Sequence, residues 1–224
     1  MNAATFVREL GSLTMPSVFN PYHDTCLVYD RSDAPAVRRK NLRSILSAAL
    51  ALEVDTIWMG RDLGYRGGRR TGLALTDERH LSAMPRAYPG AVVQRSTHGP
   101  EVTERTAAEI WAVLMQLDRP PLLWNVFPFH PHEEQDPFTN RKFTRAELDQ
   151  VDQLNAALID WLGVCHIVAI GQDAAGYAKK FGVKVSCVRH PSYGGIADFR
   201  RGISELYGIP ITSPASSAAQ RALF

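Results

Sequence analysis

Hydrophobic residues along the chain alternate between short continuous runs and longer stretches with helical spacing. The short runs have the length of buried strands and lie at residues 57–59, 122–126 and 167–170, and residues 183–188 (Val-Lys-Val-Ser-Cys-Val) predict a fourth strand. The longest stretches repeat apolar residues every three or four positions and cover residues 34–52, 103–117 and 144–162. Shorter helices are predicted at residues 77–88, 171–180 and 196–206. This alternation predicts a three-layer α/β/α sandwich around a central, mostly parallel four-stranded sheet.

The two ends of the chain carry weaker patterns. Residues 1–16 predict a short helix or a loose arm, and residues 212–224, rich in Ser and Ala, predict a loose tail. Within the chain, Thr144 followed by Glu147 is the capping-box signature of a helix start. We expect one domain over residues 1–224, because 224 residues suffice for a single large core.

Composition narrows the class of protein. The hydrophobic fraction of 45% is that of a globular protein, and the formal net charge of +2 does not demand a nucleic-acid partner. No apolar run reaches the roughly 18 residues of a membrane span. The start of the chain has no signal-peptide core, so we expect a cytoplasmic protein. Three cysteines far apart indicate free thiols instead of a disulfide framework or a four-cysteine site.

Polar side chains occur where three of the predicted strands end. Asp62 follows the first strand, Asn125 ends the second, and His190 follows the fourth. The first strand continues into residues 60–72, a loop with five glycines and four arginines, which suits close approach to a phosphate. Because parallel strands end at one edge of a sheet, we expect these groups to meet there and form a ligand site.

Five short segments, in order, resemble the uracil-DNA glycosylase superfamily. Residues 60–64 (Gly-Arg-Asp-Leu-Gly) are similar to its first motif, and residues 72–76 (Gly-Leu-Ala-Leu-Thr) are similar to the segment that follows it. Residues 123–126 (Leu-Trp-Asn-Val) resemble the strand with the family's asparagine. Residues 140–147 resemble a helix start of the bacterial branches, and residues 190–195 (His-Pro-Ser-Tyr-Gly-Gly) resemble the terminal His-Pro-Ser motif. The resemblance covers about residues 55–200.

The resemblance has departures that define an atypical member. Leu75 stands where the family often has a phenylalanine that stacks on uracil, so stacking is expected from elsewhere, with Phe127 and Tyr22 as candidates. Tyr65 lies one position after the tyrosine that excludes thymine. Tyr193 and the glycine after it replace the Pro-Leu of the usual leucine wedge. The four cluster cysteines of some branches are absent, which implies a member without an iron–sulfur cluster.

The resemblance implies a hydrolase that removes uracil or a related deaminated base from DNA and starts base-excision repair. Asp62 would orient the attacking water, stay ionised beside the arginines and need no raised pKa. His190 would donate a hydrogen bond to uracil O2. Asn125 would pair with the O4 and N3–H edge of the base, with Leu75, Tyr65 and Phe127 completing base recognition.

The same resemblance implies how DNA is held. A glycosylase turns its base out of the stack while it grips the flanking phosphates. The predicted DNA-binding residues are Arg66, Arg69, Arg70, Ser192 and Tyr193. The partner is thus DNA that contains a uracil or a deaminated base. No metal, organic cofactor, membrane or obligate protein partner is implied.

Other hypotheses stay open at this stage. A family-shaped protein could bind damaged or abasic DNA without cleaving it, which the altered stacking and wedge positions favour. An unrelated nucleotide-using α/β enzyme is disfavoured, because the loop lacks both the Gly-x-Gly-x-x-Gly and the Gly-Lys-Ser/Thr pattern. His130 and His132 form a His-x-His pair, but no third metal ligand is evident. Uracil, hypoxanthine, xanthine and 5-substituted uracils all remain candidate bases, in single- or double-stranded DNA.

Overall fold

Four parallel strands form the centre of the protein. The structure is a computed structural model that describes residues 1–212. The order of the strands across the sheet is β3-β2-β5-β6. Their bounds are Thr56–Asp62 for β2, Leu122–Phe127 for β3, His166–Ile170 for β5 and Lys184–Val188 for β6. Every neighbouring pair is parallel, as short apolar strands joined by helices require. The predicted four-stranded parallel sheet is confirmed.

Eight α-helices accompany the sheet within residues 1–212. The bounds are Ala3–Ser12 (α1), Ala34–Ala51 (α2), Gly68–Thr71 (α3), Met84–Ala87 (α4), Arg105–Leu114 (α5), Arg145–Leu162 (α6), Gln172–Ala178 (α7) and Ile196–Tyr207 (α8). Short 3-10 helices cover Arg79–Ala83 and Lys179–Phe181. The predicted capping box at Thr144 and Glu147 is present at the start of α6. None of the helices in this described part is long and apolar enough to cross a bilayer.

Two tryptophans on neighbouring strands show that helices cover both faces of the sheet. Trp58 of β2 packs against Phe199 and Tyr207 of α8, and its indole N–H donates to the Tyr207 hydroxyl at 2.8 Å. Trp124 of β3 points to the opposite face, where its indole donates to Asn155 of α6 at 2.9 Å. Both strands are therefore buried on two sides, which confirms the predicted sandwich and explains their continuous apolar sequences.

The start of the chain is more ordered than the sequence predicts. Residues 1–16 contain α1, capped by Asn2 and packed on α2 and α6, with Phe6 and Leu10 fully buried in the core. The alternative of a loose arm is therefore wrong. The predicted tail lies outside the described residues except for Thr212, whose backbone N–H donates to Gln116 at 2.9 Å.

A second, two-stranded sheet also escapes the sequence pattern. Val18–Phe19 (β1) pairs antiparallel with His130–Pro131 (β4), a segment that the sequence predicts to be loop. In the main sheet, β2 runs on from the predicted residues 57–59 to Asp62. Asp62 is thus the last residue of the strand and does not lie in a free loop, so its position is fixed by the sheet.

Candidate active site

A cleft of about 630 Å³ opens at the carboxyl edge of the central sheet. One wall comes from the loop after β2, with Gly64 and Gly68, and from Glu104 before α5. The other wall comes from the segments after β5 and β6 and includes Gly171 and His190. The strand ends thus meet in one place, as expected for an open α/β sheet.

The floor of the cleft is a position without a side chain. Gly60 of β2 pairs with Asn125 of β3. A Cβ atom on Gly60 would lie 2.5 Å from Asn125 Oδ1 and 3.0 Å from Leu75 Cδ2. Leu75 reaches this point from a turn organised by the Thr71 hydroxyl, which accepts from Leu73 N–H and donates to Thr76 O, and it adopts a φ of 53°. An amide and an apolar side chain therefore converge on a bare backbone.

The amide of Asn125 is buried without a hydrogen-bond partner. Its side chain is 1% exposed, and neither Oδ1 nor Nδ2 has a partner within the described residues. Buried polar groups are almost always hydrogen-bonded, because an unsatisfied group costs on the order of 1–3 kcal/mol. The unpartnered amide lies behind Gly60, which lines the cleft, so its donor and its acceptor can serve a ligand with the complementary pair that reaches this glycine.

Asp62 lies at the edge of the floor in an ion pair with its sequence neighbour. Arg61 Nε donates to Asp62 Oδ2 at 2.5 Å, and Arg61 also approaches Asp173 of α7 at 3.6 Å. Asp173 in turn pairs with Lys142 at 3.3 Å. Burial raises the pKa of Asp62 above its ordinary value, and Arg61 opposes that shift. Burial thus outweighs the arginine in the direction of this pKa shift, and the ionised state of Asp62 stays a prediction.

His190 faces the cleft with its proton position set by the following turn. The backbone N–H of Ser192 donates to His190 Nδ1 at 3.1 Å, and Ser192 Oγ lies 2.7 Å from the same atom. Nδ1 is therefore the acceptor, so a neutral ring carries its proton on Nε2. Burial, with Arg189 and Arg61 nearby, lowers the pKa of His190. The imidazole is thus a neutral N–H donor at physiological pH.

Comparisons with known proteins agree with this geometry. The crystal structure of wild-type SMUG2 from Pedobacter heparinus, a uracil-DNA glycosylase family member, matches the chain with a TM-score of 0.60 at 13% sequence identity, over 99% of each chain. This chain has the uracil-DNA glycosylase fold. No protein-family model matches the chain, and no curated protein matches it by sequence. At this identity the likeness concerns the fold, so the function has to be argued from the site.

Two of the arginines predicted to bind DNA are buried within the fold. Arg69 is buried, and its guanidinium donates to the Tyr29 hydroxyl at 2.8 Å, to His130 Nδ1 at 3.0 Å and to Pro137 O at 2.9 Å. Arg70 is also buried, between the Tyr29 ring and Glu78, which it approaches at 3.2 Å. Their prediction as phosphate ligands is wrong, because burial keeps both guanidinium groups away from a phosphate.

The predicted aromatic partners of the base also lie away from the cleft. Phe127 is fully buried against Phe129 and Phe143, so it presents no face to the cleft. Tyr22 is buried as well, and its hydroxyl donates to Gly72 O at 2.6 Å. Both stacking predictions are corrected by this burial. Tyr65 leans outward under the Arg66 guanidinium, 5.5 Å from its ring centre, and leaves the cleft wall to Gly64.

Arg66, Ser192 and Tyr193 remain where DNA could reach them. Arg66 is exposed, and Ser192 lines the cleft beside His190. Tyr193 is 97% exposed at the cleft rim, in the left-handed backbone region with a φ of 50°. Within residues 1–212, no group of three or more His, Cys, Asp or Glu side chains could hold a metal ion. Both ring nitrogens of His130 are already occupied by Arg69 and Thr139.

Sequence reasoning missed several charged groups of the cleft. Glu104 lines the wall against Gly64 and Gly67, and its carboxyl group has no hydrogen bond or ion pair among the described residues. Burial, followed by repulsion from Asp77, raises the pKa of Glu104. Asp173, at the start of the helix predicted over residues 171–180, also lines the cleft. Glu104 belongs to no recognisable motif, so only the fold reveals it.

Proposed function

We propose that this protein is a DNA glycosylase that hydrolyses the N-glycosidic bond of uracil or a related deaminated base. The observation that carries this proposal is the unpartnered amide of Asn125, which lies against the cleft-lining Gly60. Uracil offers an acceptor at O4 and a donor at N3, which is the complement of an amide. Cytosine offers the reverse pattern at the same atoms. A site that depends on such a pair can discriminate by ~10⁴ or more.

His190 supplies the second part of the proposed mechanism. Negative charge develops on the leaving base as the bond to the sugar breaks. A neutral imidazole with its proton on Nε2 donates a hydrogen bond to O2 of the base at that moment. The ring itself carries no positive charge in the ground state. One preorganised donor of this kind is worth roughly 3–4 kcal/mol. Ser192 fixes the ring through Nδ1, so its proposed phosphate contact comes with a positioning role.

Asp62 supplies the third part. In the proposed mechanism its carboxylate orients the attacking water and stabilises the sugar, which becomes cationic. Arg61 favours the ionised form against the effect of burial. The charges needed for hydrolysis come from these side chains, so we expect activity to persist when EDTA removes divalent ions.

DNA is the proposed partner, gripped by few charges. Arg66 is the exposed arginine of the loop after β2, and Tyr193 lies at the opposite rim of the cleft. Contacts of this kind hold phosphates and the opened stack without selecting sequence. The target base then reaches the floor of the cleft by leaving the duplex or from a single strand.

The test is a cleavage assay on labelled oligonucleotides with one uracil, in single strands and opposite guanine, followed by alkali. Hypoxanthine, xanthine and thymine oligonucleotides run alongside. We expect a uracil-dependent product that Asp62→Asn reduces by at least about 100-fold and His190→Ala reduces by a similar factor. Asp198→Asn, an exposed carboxylate of α8, is the matched control. No product on any base, with tight binding to abasic DNA, would replace this proposal with a binding function.

A further inference from the structure

Two neighbouring apolar side chains project from a turn before α2. Leu27 is 98% exposed and Val28 is 75% exposed, between a buried Cys26 and a half-buried Tyr29. Isolated exposed hydrophobic residues are common on protein surfaces, whereas two adjacent ones at such exposure are not needed for folding. We call Leu27 and Val28 the apolar prong.

The prong stands on a rigid base. The backbone N–H of Asp30 donates to Cys26 O at 3.0 Å, and the Asp30 carboxylate accepts from Cys26 N–H at 2.7 Å, so the turn is closed twice. The same carboxylate pairs with Arg38 of α2, and both side chains are fully buried. The ring of Tyr29 stacks on the Arg70 guanidinium at 4.0 Å. The exposure of the prong is therefore a built feature of the fold.

The prong lies at the same edge of the protein as the cleft. Only a short connection joins the end of α2 to the start of β2, so α2 begins at the edge where β2 ends. Tyr29 contacts Arg69, the residue after the cleft-lining Gly68, and packs 6.1 Å from Phe138, two residues before the cleft-lining Asn140. The prong thus rises behind the Gly64–Gly68 wall, while Tyr193 rises from the opposite rim.

We propose that the apolar prong inserts into duplex DNA beside the base that occupies the cleft. This inference rests on the proposed function, because it needs DNA in the cleft. Proteins that open a base stack commonly push apolar side chains between base steps, and the cost of unstacking is offset by the new contacts. Leu27 and Val28 present an apolar surface of this kind on a turn that its hydrogen bonds hold rigid. Arg31, an exposed cation next to the same turn, suits the adjacent phosphates.

The prong gives a structural reason for the missing leucine in the terminal loop. In this chain Tyr193 and a glycine occupy the segment that resembles the family's wedge, and Tyr193 alone stands on that rim. Pressure from two rims, by Tyr193 on one side and by the prong on the other, would hold a gap in the stack open. The gap matters only where a complementary strand keeps the base stacked. The prong should therefore contribute to duplex binding and not to binding of single strands.

The test uses the full chain and a duplex with a tetrahydrofuran abasic site, flanked by the fluorescent base 2-aminopurine. Binding is measured by anisotropy, and unstacking by the rise in 2-aminopurine fluorescence. We expect Leu27→Ala with Val28→Ala to weaken duplex binding by about tenfold and to abolish the fluorescence rise, with single-strand affinity unchanged within about twofold. Leu50→Ala is the matched control, since this exposed leucine lies near the far end of α2.

A second variant reports insertion directly. Leu27→Trp is expected to keep duplex affinity, and its indole fluorescence should be quenched on the abasic duplex because the ring stacks between bases. Wild-type duplex affinity and an unchanged fluorescence rise in the double alanine variant would overturn the prong alone, while uracil cleavage by the wild type would leave the proposed function standing. Failure of the wild type to bind any DNA would overturn both. Loss of self-association in the double variant, with duplex binding intact, would make the prong a protein-contact surface and would also overturn the inference.

Discussion

Replacing Arg61 with methionine should move the acidic limb of the pH–rate profile. Within residues 1–212, Arg61 is the cation that hydrogen-bonds Asp62, at 2.5 Å. Two unit charges at ~4 Å interact by about 4 kcal/mol at an effective dielectric constant of 20. Arg61 is 34% exposed, and solvent screening reduces this figure to roughly 1–2 kcal/mol. Because 1.36 kcal/mol corresponds to one pKa unit, Arg61→Met is expected to raise the pKa of Asp62 by about one unit.

The sign follows from the role of the carboxylate. Burial already raises the pKa of Asp62, and the arginine opposes that rise, so its removal raises the pKa further. Asp62 acts when ionised, so the rate falls as the pH is lowered through its pKa. In Arg61→Met this fall should begin at a higher pH than in the wild type. Lys142, Asp173 and His190 also face this part of the cleft. Arg61 also pairs with Asp173 and lowers the pKa of His190, so the titration of Asp62 itself has to be followed.

The assay is single-turnover cleavage of a uracil oligonucleotide between pH 4.5 and 9, with carbon-13 NMR titration of the Asp62 carboxyl as a measurement independent of activity. Arg61→Lys should restore part of the shift. Arg201→Met, an exposed arginine of α8, is the control. An acidic limb and an NMR titration that stay in place in Arg61→Met would refute the reasoning.

Three further predictions follow from the same site. Gly60→Ala puts a methyl group 2.5 Å from Asn125 Oδ1 and should lower kcat/KM on uracil DNA by about 100-fold, with folding retained. Unchanged kinetics would mean that the base does not bind beside Gly60. Asp62→Asn should raise the free energy of unfolding at pH 7 relative to the wild type. The pKa of Asp62 is higher in the folded than in the unfolded chain, so its ionisation weakens the fold as the pH rises through these two values. Urea titration should show no gain in stability for Asp62→Asn at pH 3. An equal gain at pH 3 and pH 7 would contradict this account. Arg69→Ala should lower the free energy of unfolding by about 3 kcal/mol, because Arg69 is buried. Arg66→Ala should leave the Tm unchanged and reduce the salt dependence of DNA binding by about one in slope. The reverse pattern in melting and binding curves would make Arg69 a DNA contact.

The periodic parts of the chain were predictable because each strand and helix has its own local pattern. The four apolar runs gave the sheet, and the positions of Asp62, Asn125 and His190 at strand ends gave the edge where they meet. The parallel order makes that edge common to all strands. Only the spacing of apolar residues and a few strand-end side chains were needed for this part.

The errors arose where burial depends on distant segments. Arg69 and Arg70 follow a glycine-rich loop and look like phosphate ligands, yet Tyr29 and Glu78 enclose them. No local pattern encodes such contacts. The burial of Asp62, which the sequence pattern does not show, has a similar origin, since a strand that runs on to residue 62 encloses a carboxylate that a loop would leave in water. The sequence does not predict Glu104 as a cleft residue, because it reaches the cleft from a separate segment.

Arg69 also has a consequence for how the protein acquires its site. Its three hydrogen-bond partners lie 40, 61 and 68 residues away along the chain. Contacts between such distant residues form slowly, because the chain must first close large loops. We therefore expect the glycine-rich loop to become ordered late in folding, together with the sheet, because the pairs of β2 with β3 and β5 join residues that are just as distant. During synthesis, the cleft can take its final shape only once the ribosome has released the chain through Tyr193, because His190 and Tyr193 line the cleft.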